Sequence, residues 1–362
     1  MTSHRIVSIV GARPNFMKLK PVYNVLQNNL HHEIIHTEQH YDYRLSEIFF
    51  KEFNLPKPDY NLEVGSGLPG AQMGDMIKKI ERALIENEYD LVLVYGDTNS
   101  TFAGALAAVK SNIRVAHIEA GLRSFDRRMP EEINRILTDN LSEYLFAPTR
   151  TASFNLHSER TLGKIYQTGD LSVEIISEAK KMASKSTITR DLNLEPKNFI
   201  VFTMHRAENT ELDESFLSII RAFKSLSEFK FVFPLHPRTR KILESKNLYH
   251  QLENCKNLLI IPPTGYVDFI SLVQNASKII TDSGGLQKEA YLLSVPCITI
   301  RRNTEWPETV DAGWNALTDT NTEKIVESVR NWNPSNSNQP QVLGNGDTAN
   351  TIKRIIFDEI LD

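Results

Sequence analysis

The chain has 362 residues, 41% of them hydrophobic and 24% charged, a soluble globular composition too long for one ordinary core, so two domains are expected. A net charge of −4 argues against a general nucleic-acid binder, and no apolar run approaches the roughly 20 residues of a membrane helix. Only two cysteines occur, Cys255 and Cys297, far apart and without metal-like spacing, and nothing suggests a disulfide framework. With the first strand-like run starting at Arg5 and no signal peptide before it, a reducing, cytoplasmic setting is expected.

Taken in order, the hydrophobic pattern predicts strands at 5–10, 33–36, 90–95, 114–118, 144–147 and 164–168. Helical patterns fall between them at 18–27, 74–87, 101–110 and 131–141. The alternation restarts with strands at 199–203, 229–234, 257–261, 278–281 and 296–300, and helices at 211–226, 239–245, 267–274 and 286–293. Such alternation predicts α/β domains with mostly parallel sheets covered by helices. A polar stretch, 172–194, would hold the linker, and an Asn-, Ser-, Pro- and Gly-rich loop, 333–346, leads to a final amphipathic helix, 348–360. The expected architecture is two Rossmann-like domains facing each other across a cleft.

Chemistry-bearing residues gather where strands end, which is where open α/β sheets keep their ligands. Strand one runs into Gly11-Ala12-Arg13-Pro14-Asn15-Phe16-Met17-Lys18. Gly11 permits a tight turn, and Arg13 and Lys18 stand beside a helix start that attracts anions, although both also fit a plain surface. Tyr95-Gly96-Asp97-Thr98-Asn99-Ser100 follows another strand, with Asp97 either a helix N-cap or a reactive carboxylate. The run His117-Ile118-Glu119-Ala120-Gly121-Leu122-Arg123 continues to Pro130-Glu131-Glu132-Ile133-Asn134-Arg135 and adds Glu119 and Glu131 to the same edge. Three carboxylates at one edge supply candidate general acids and bases. In the second half, His205-Arg206 and His236-Pro237-Arg238 end successive strands as phosphate contacts. Asp282-Ser283-Gly284-Gly285 opens a helix, so that backbone N–H groups can approach a phosphate. Glu289, about one turn later, can reach ribose hydroxyls.

Together these motifs, in this order over residues 9–310, resemble the non-hydrolysing UDP-N-acetylglucosamine 2-epimerases. The resemblance implies the glycosyltransferase type B architecture and a homodimer, with a last helix returning to the first domain. The domains would then be 1–171 with 346–362, carrying the acid/base residues, and 172–345, binding UDP. It implies inversion of C2 of a UDP-sugar by elimination of UDP to a bound 2-acetamidoglucal, followed by re-addition, with no metal or redox cofactor. By matching motifs, Asp97, Glu119, Glu131 and His205 are implied as catalytic. Arg13, Lys18, Arg206, Ser283, Gly284, Gly285 and Glu289 are implied as substrate contacts, with Gln39, Arg123, Arg135, His236 and Trp306 as further ones.

Several positions depart from the family pattern. Trp306 replaces an arginine common at that place, and Gly169-Asp170-Leu171 replaces Gly-Asn-Thr. Both changes look more like the branch acting on UDP-2,3-diacetamido-2,3-dideoxyglucuronic acid, whose carboxylate Arg127 and Arg128 could serve; a solvated basic loop fits equally. Gln39-His40-Tyr41-Asp42-Tyr43 departs from the Gln-His-Arg-x-Gln of substrate-activated members, and Pro14-Asn15 argues against the hydrolysing relatives. A glycosyltransferase of the same architecture and a non-catalytic nucleotide-sugar binder are the alternatives from other classes. The three carboxylates exceed what either needs.

Overall fold

The computed structural model describes residues 4–38, 55–210, 212–334 and 339–361. The chain divides into two compact units, residues 1–175 with 343–362, and residues 176–342. In the first unit, β1 (Arg5–Val10) leads into α1 (Arg13–Leu26), then β2 (His31–His36) and β3 (Tyr60–Asn61). Next come α2 (Pro69–Ile85), β4 (Leu91–Tyr95), α3 (Asn99–Lys110) and β5 (Arg114–Ile118). The unit continues through α4 (Pro130–Leu141), β6 (Tyr144–Ala147), α5 (Arg150–Ser158) and β7 (Lys164–Gln167) into α6 (Ser172–Ala183). Its seven strands pair in the order β3-β2-β1-β4-β5-β6-β7, all parallel.

The second unit contains β8 (Ile200–Thr203), α7 (Asp213–Ser225), β9 (Phe231–Pro234), α8 (Pro237–Ser245) and β10 (Leu258–Ile261). It goes on through α9 (Tyr266–Asn275), β11 (Lys278–Thr281), α10 (Gly284–Leu292), β12 (Cys297–Thr299), β13 (Asn315–Leu317) and α11 (Thr322–Arg330). Here the parallel order is β10-β9-β8-β11-β12-β13. Each sheet reverses its winding once, between β1 and β4 and between β8 and β11. Those two switch points are where a doubly wound sheet opens a crevice at its carboxyl edge.

The central strands are buried on both faces, as parallel sheets require, while the edge strands β3, β7 and β10 are only partly covered. In the first unit Val7, Ile9, Val92 and Val94 pack with the alanines of α3. Gly104 lets that helix approach closely, since a Cβ there would sit 3.0 Å from Ile9 Cδ1. In the second unit Phe202 stacks edge-on against Phe223 and Phe233, at 5.1 and 4.7 Å between ring centroids.

The fold refines several sequence expectations. Helix α1 begins five residues before the predicted start, because Pro14, confined to the first turn, costs no intrahelical hydrogen bond. Short β3 and β13 escape a periodicity reading. So does α5, whose Ser, Thr, Asn and His residues are weak helix formers held by the Thr149 cap. Where a polar linker was expected, α6 runs unbroken through the point at which the two units divide.

The last helix, α12 (Thr348–Ile355), belongs to the first unit. Lys353 Nζ donates to Asn29 Oδ1 at 2.7 Å, and the Ala349 amide donates to Glu174 Oε1 at 3.0 Å. Burial lifts the Glu174 carboxyl to about 7, against the Ala349 and Thr348 amide bonds, with Asp347 and Asp170 adding to the rise. The folded form therefore holds a proton that the unfolded chain releases from its ordinary value of 4.5 upward. This contribution to stability is complete below that value and is lost as pH rises through about 7. Thermal unfolding of Glu174→Gln, scanned between acid and neutral pH, should show a flatter dependence than wild type; an unchanged slope would contradict the assignment.

Candidate active site

Register brings the first cluster together. Tyr95 pairs with Ile118 across β4 and β5, so Gly96-Asp97 and Glu119 leave adjacent strands side by side. Glu119 has a φ of 74°, unusual for a residue with a side chain. The turn is held by the Glu119 and Ala120 amides, which both donate to the Phe146 carbonyl at 3.1 Å. From there the Glu119 carboxylate meets the Lys18 ammonium of α1 in a very short ion pair, with both side chains nearly buried. Gly96 lies beneath this pair. A Cβ on it would be 2.9 Å from Lys18 Nζ and 3.0 Å from Glu119 Oε2, and its own φ is 65°.

Asp97 is held from α4. Arg135 Nε and Nη2 donate to Asp97 Oδ2 at 3.0 and 2.7 Å, and Asn134 Nδ2 donates to the Asp97 carbonyl at 3.0 Å. Glu131, half-buried in the first turn of α4, precedes Asn134 and Arg135 by three and four positions and so starts on the helix face from which those two hold Asp97. Its neighbour Glu132 is buried and accepts from the Ser124 and Phe125 amides at 2.9 and 2.8 Å and from Arg135 Nη1 at 2.7 Å.

The structure thus brings Asp97 and Glu119 to adjacent strand ends with a cation on each, and places Glu131 in the first turn of α4. Lys18, expected as a diphosphate contact, lies on Glu119, and Arg135 lies on Asp97. Arg123 is directed inward, forking onto Glu159 at 2.8 and 2.7 Å and reaching Asp139 at 2.7 Å. Gln39 and the Arg13 side chain lie outside the described residues. Asn15 was missed by sequence reasoning. Fully buried, it accepts from the Gly11 and Ala12 amides at 3.2 and 3.1 Å and donates to the Tyr95 carbonyl at 2.7 Å, tying α1 to the end of β4. Gly11 itself is required for space, since a Cβ would fall 1.9 Å from Ser100 Oγ.

The second cluster sits at the β8–β11 switch point, where Thr281 pairs with Thr203. Asp282, fully buried, accepts from the His205 and Arg206 amides, at 3.0 and 2.9 Å to Oδ2, and from Asn209 Nδ2 at 3.2 Å. The half-exposed His205 ring stands 3.3 Å from Asp282 Oδ1. Ser283 Oγ caps α10 by accepting from the Leu286 amide at 3.4 Å. Beside Gly284, Glu305 is forked by Arg301 at 2.8 and 3.0 Å and approached by Arg206 at 3.5 Å. Two guanidinium groups share one carboxylate next to a helix start, an electropositive setting suited to an anion. Glu289 accepts from Tyr266 Oη at 3.0 Å, which fixes its carboxylate one turn into α10. Trp306 is buried, with Lys288 Nζ 4.2 Å above its ring. His236 uses Nδ1 to accept from the Arg238 amide at 3.2 Å and so caps α8. Among the described residues, no group of three His, Cys, Asp or Glu is placed to hold a metal ion.

Two parallel Rossmann-like domains, one with paired carboxylates and cations at the ends of β4 and β5 and one with an electropositive glycine-opened helix, define an α/β enzyme of the glycosyltransferase type B plan. A family model described as UDP-N-acetylglucosamine 2-epimerase matches residues 25–357, and the chain belongs to that family. It is 51% identical over 354 residues to a UDP-N-acetylglucosamine 2-epimerase homolog of Methanococcus maripaludis, covering 97% of this chain and 99% of the relative. It is 44% identical over 333 residues to the UDP-2,3-diacetamido-2,3-dideoxy-D-glucuronate 2-epimerase of Pseudomonas aeruginosa, covering 90% and 91%. The crystal structure of the Methanocaldococcus jannaschii UDP-GlcNAc 2-epimerase, in complex with UDP-GlcNAc and UDP, aligns with a TM-score of 0.91 at 44% identity, over 97% and 99% of the two chains. The sequence resemblance to this family is borne out.

Gly96→Ala tests the packing under the ion pair. The left-handed backbone alone should cost about 1–2 kcal/mol, with a further loss as Lys18 and Glu119 move aside. Urea unfolding measures it; a variant as stable as wild type would contradict this geometry.

Proposed function

We propose that the protein interconverts UDP-N-acetylglucosamine and UDP-N-acetylmannosamine. The observation that carries this reading is the pair of acidic groups at the ends of β4 and β5, Asp97 and Glu119, each held by a basic side chain, with Glu131 following in the first turn of α4. Inverting C2 without a redox step calls for this equipment. In the forward direction a carboxylate takes the C2 proton while the C1–O bond breaks, and UDP leaves as its electron pair passes to oxygen. The bound product is 2-acetamidoglucal. UDP then adds back at C1 as a second acid delivers a proton to the opposite face of C2, so atoms and charge balance over the cycle.

In this reading the first unit supplies the proton chemistry. Glu119 is oriented by Lys18, and Asp97 by Arg135. The second unit holds the leaving group, with the diphosphate on the α10 amides at Ser283, Gly284 and Gly285, flanked by Arg206 and His205. Glu289, steadied by Tyr266, takes the ribose hydroxyls. Arg13 joins the diphosphate contacts. The close similarity to an enzyme solved with UDP-GlcNAc and UDP supports this choice of sugar. The protein is further proposed to act as a homodimer in the cytoplasm, as the family resemblance implies. Its two buried, unpaired cysteines fit a reducing compartment.

Proton NMR in D2O with UDP-N-acetylglucosamine, repeated with the 2,3-diacetamido glucuronate, tests the function. Deuterium entering C2 with appearance of a mannosamine signal is expected from the first compound; exchange with only the second would move the protein to that branch. Asp97→Asn and Glu119→Gln should each slow exchange by at least about 100-fold while UDP still binds, a loss typical of removing an acid or base. Near-wild-type exchange in either would overturn the role.

A further inference from the structure

Behind the carboxylates on the active edge lies a second charged cluster that the proposed chemistry does not use. Asp139 of α4 and His117 of β5 are both completely buried. His117 Nδ1 stands 2.7 Å from Asp139 Oδ1, and Nε2 stands 2.7 Å from the Gly96 carbonyl oxygen. A carbonyl only accepts, so Nε2 donates to Gly96 and Nδ1 is left facing Asp139. The other oxygen of Asp139 accepts from the Gly121 amide at 3.2 Å and from Arg123 Nη2 at 2.7 Å. Burial alone would lift the Asp139 carboxyl. Hydrogen bonds and charge from His117 and Arg123 outweigh it and hold the group below its ordinary range.

The partners of this one carboxylate fall on the two turns that carry the proposed chemistry. Through His117 it grips the carbonyl of Gly96, the residue before Asp97. Through Gly121 it grips the turn two residues after Glu119, whose own backbone stands at φ 74°. Gly96 and Gly121 also have positive φ, at 65° and 81°, so three strained or glycine-dependent residues depend on external restraint. Building on the proposed epimerase reading, we infer that Asp139 is a positioning residue: through His117 and Gly121 it sets the separation of Asp97 and Glu119. Neither Asp139 nor His117 need touch the sugar. The role follows from rigidity, because displacing a reacting group by about an ångström costs on the order of 100-fold in rate.

Asp139→Asn keeps the shape but replaces an acceptor-only group with one that must present N–H to His117 or to Arg123. C2 deuterium exchange should give a kcat at least about tenfold lower, with KM within about twofold, since ground-state binding is untouched. The Kd for UDP should be unchanged. Amide hydrogen exchange should rise in peptides covering 95–99 and 118–124 and stay unchanged in β1 and β2. His117→Asn, which spares the Asp139–Arg123 pair, carries the same expectation if the first variant does not fold. The double variant should fall no further than about the worse single one, because both residues act through one chain of bonds. A kcat within about twofold of wild type, additive losses, or exchange raised evenly across the first unit would each overturn the inference. If wild type itself shows no C2 exchange, the functional reading fails, and the local amide pattern still decides the positioning role.

Discussion

Parallel strands send their carboxyl ends to one edge, and here that edge collects several acidic side chains. Asp97, Glu119, Glu132 and Asp139 lie around the ends of β4 and β5 and the body of α4, and three cations match them: Arg135 pairs both Asp97 and Glu132, Lys18 pairs Glu119 and Arg123 pairs Asp139. Buried ion pairs of this kind add little net stability, since the Coulombic attraction is largely offset by desolvation. Their effect is on geometry. Each carboxylate has one arrangement in which its charge is matched, and every alternative strands a charge in a low-dielectric interior.

The second unit solves a related problem with a single acid. Asp282 gathers the amides of His205 and Arg206 and the side chain of Asn209, so the turn after β8 is shaped from the neighbouring strand β11. That leaves the start of α10 bordered by guanidinium groups, with Gln287 tying in Thr304 at 2.5 Å and Asn315 at 3.1 Å. In the proposed reaction a leaving group carrying two phosphates needs fixed positive potential rather than a proton donor, and backbone amides flanked by arginines are groups that provide it without reorganising.

Much of this was legible in the chain. Strand–helix alternation specified parallel sheets, and strand ends marked Asp97, Glu119 and Asp282-Ser283-Gly284 as places where polar groups have no purpose in a core. Partners were not legible. Lys18 and Glu119 lie 101 positions apart, and Arg135 and Asp97 lie 38 apart. Their meeting depends on register and helix direction, which periodicity does not encode. Asn15 was hidden in a stretch read for its Arg, Pro and Lys, although an amide directly after a strand end is a signal for a turn tie. Arg123 was implied as a further contact by motif matching; the structure turns it inward onto Glu159 and Asp139, partners that periodicity does not reveal.

The path of the backbone has one more consequence. Because α12 completes the first unit, that unit is assembled from residues at opposite ends of the sequence, whereas the second is continuous over 176–342. During synthesis the continuous unit can close while the earlier-made sheet still lacks its final helix, reversing the usual order in which the leading domain matures first. The Glu174 carboxyl, which accepts from the first turn of that helix, gains this partner only after residues 176–342 have been made.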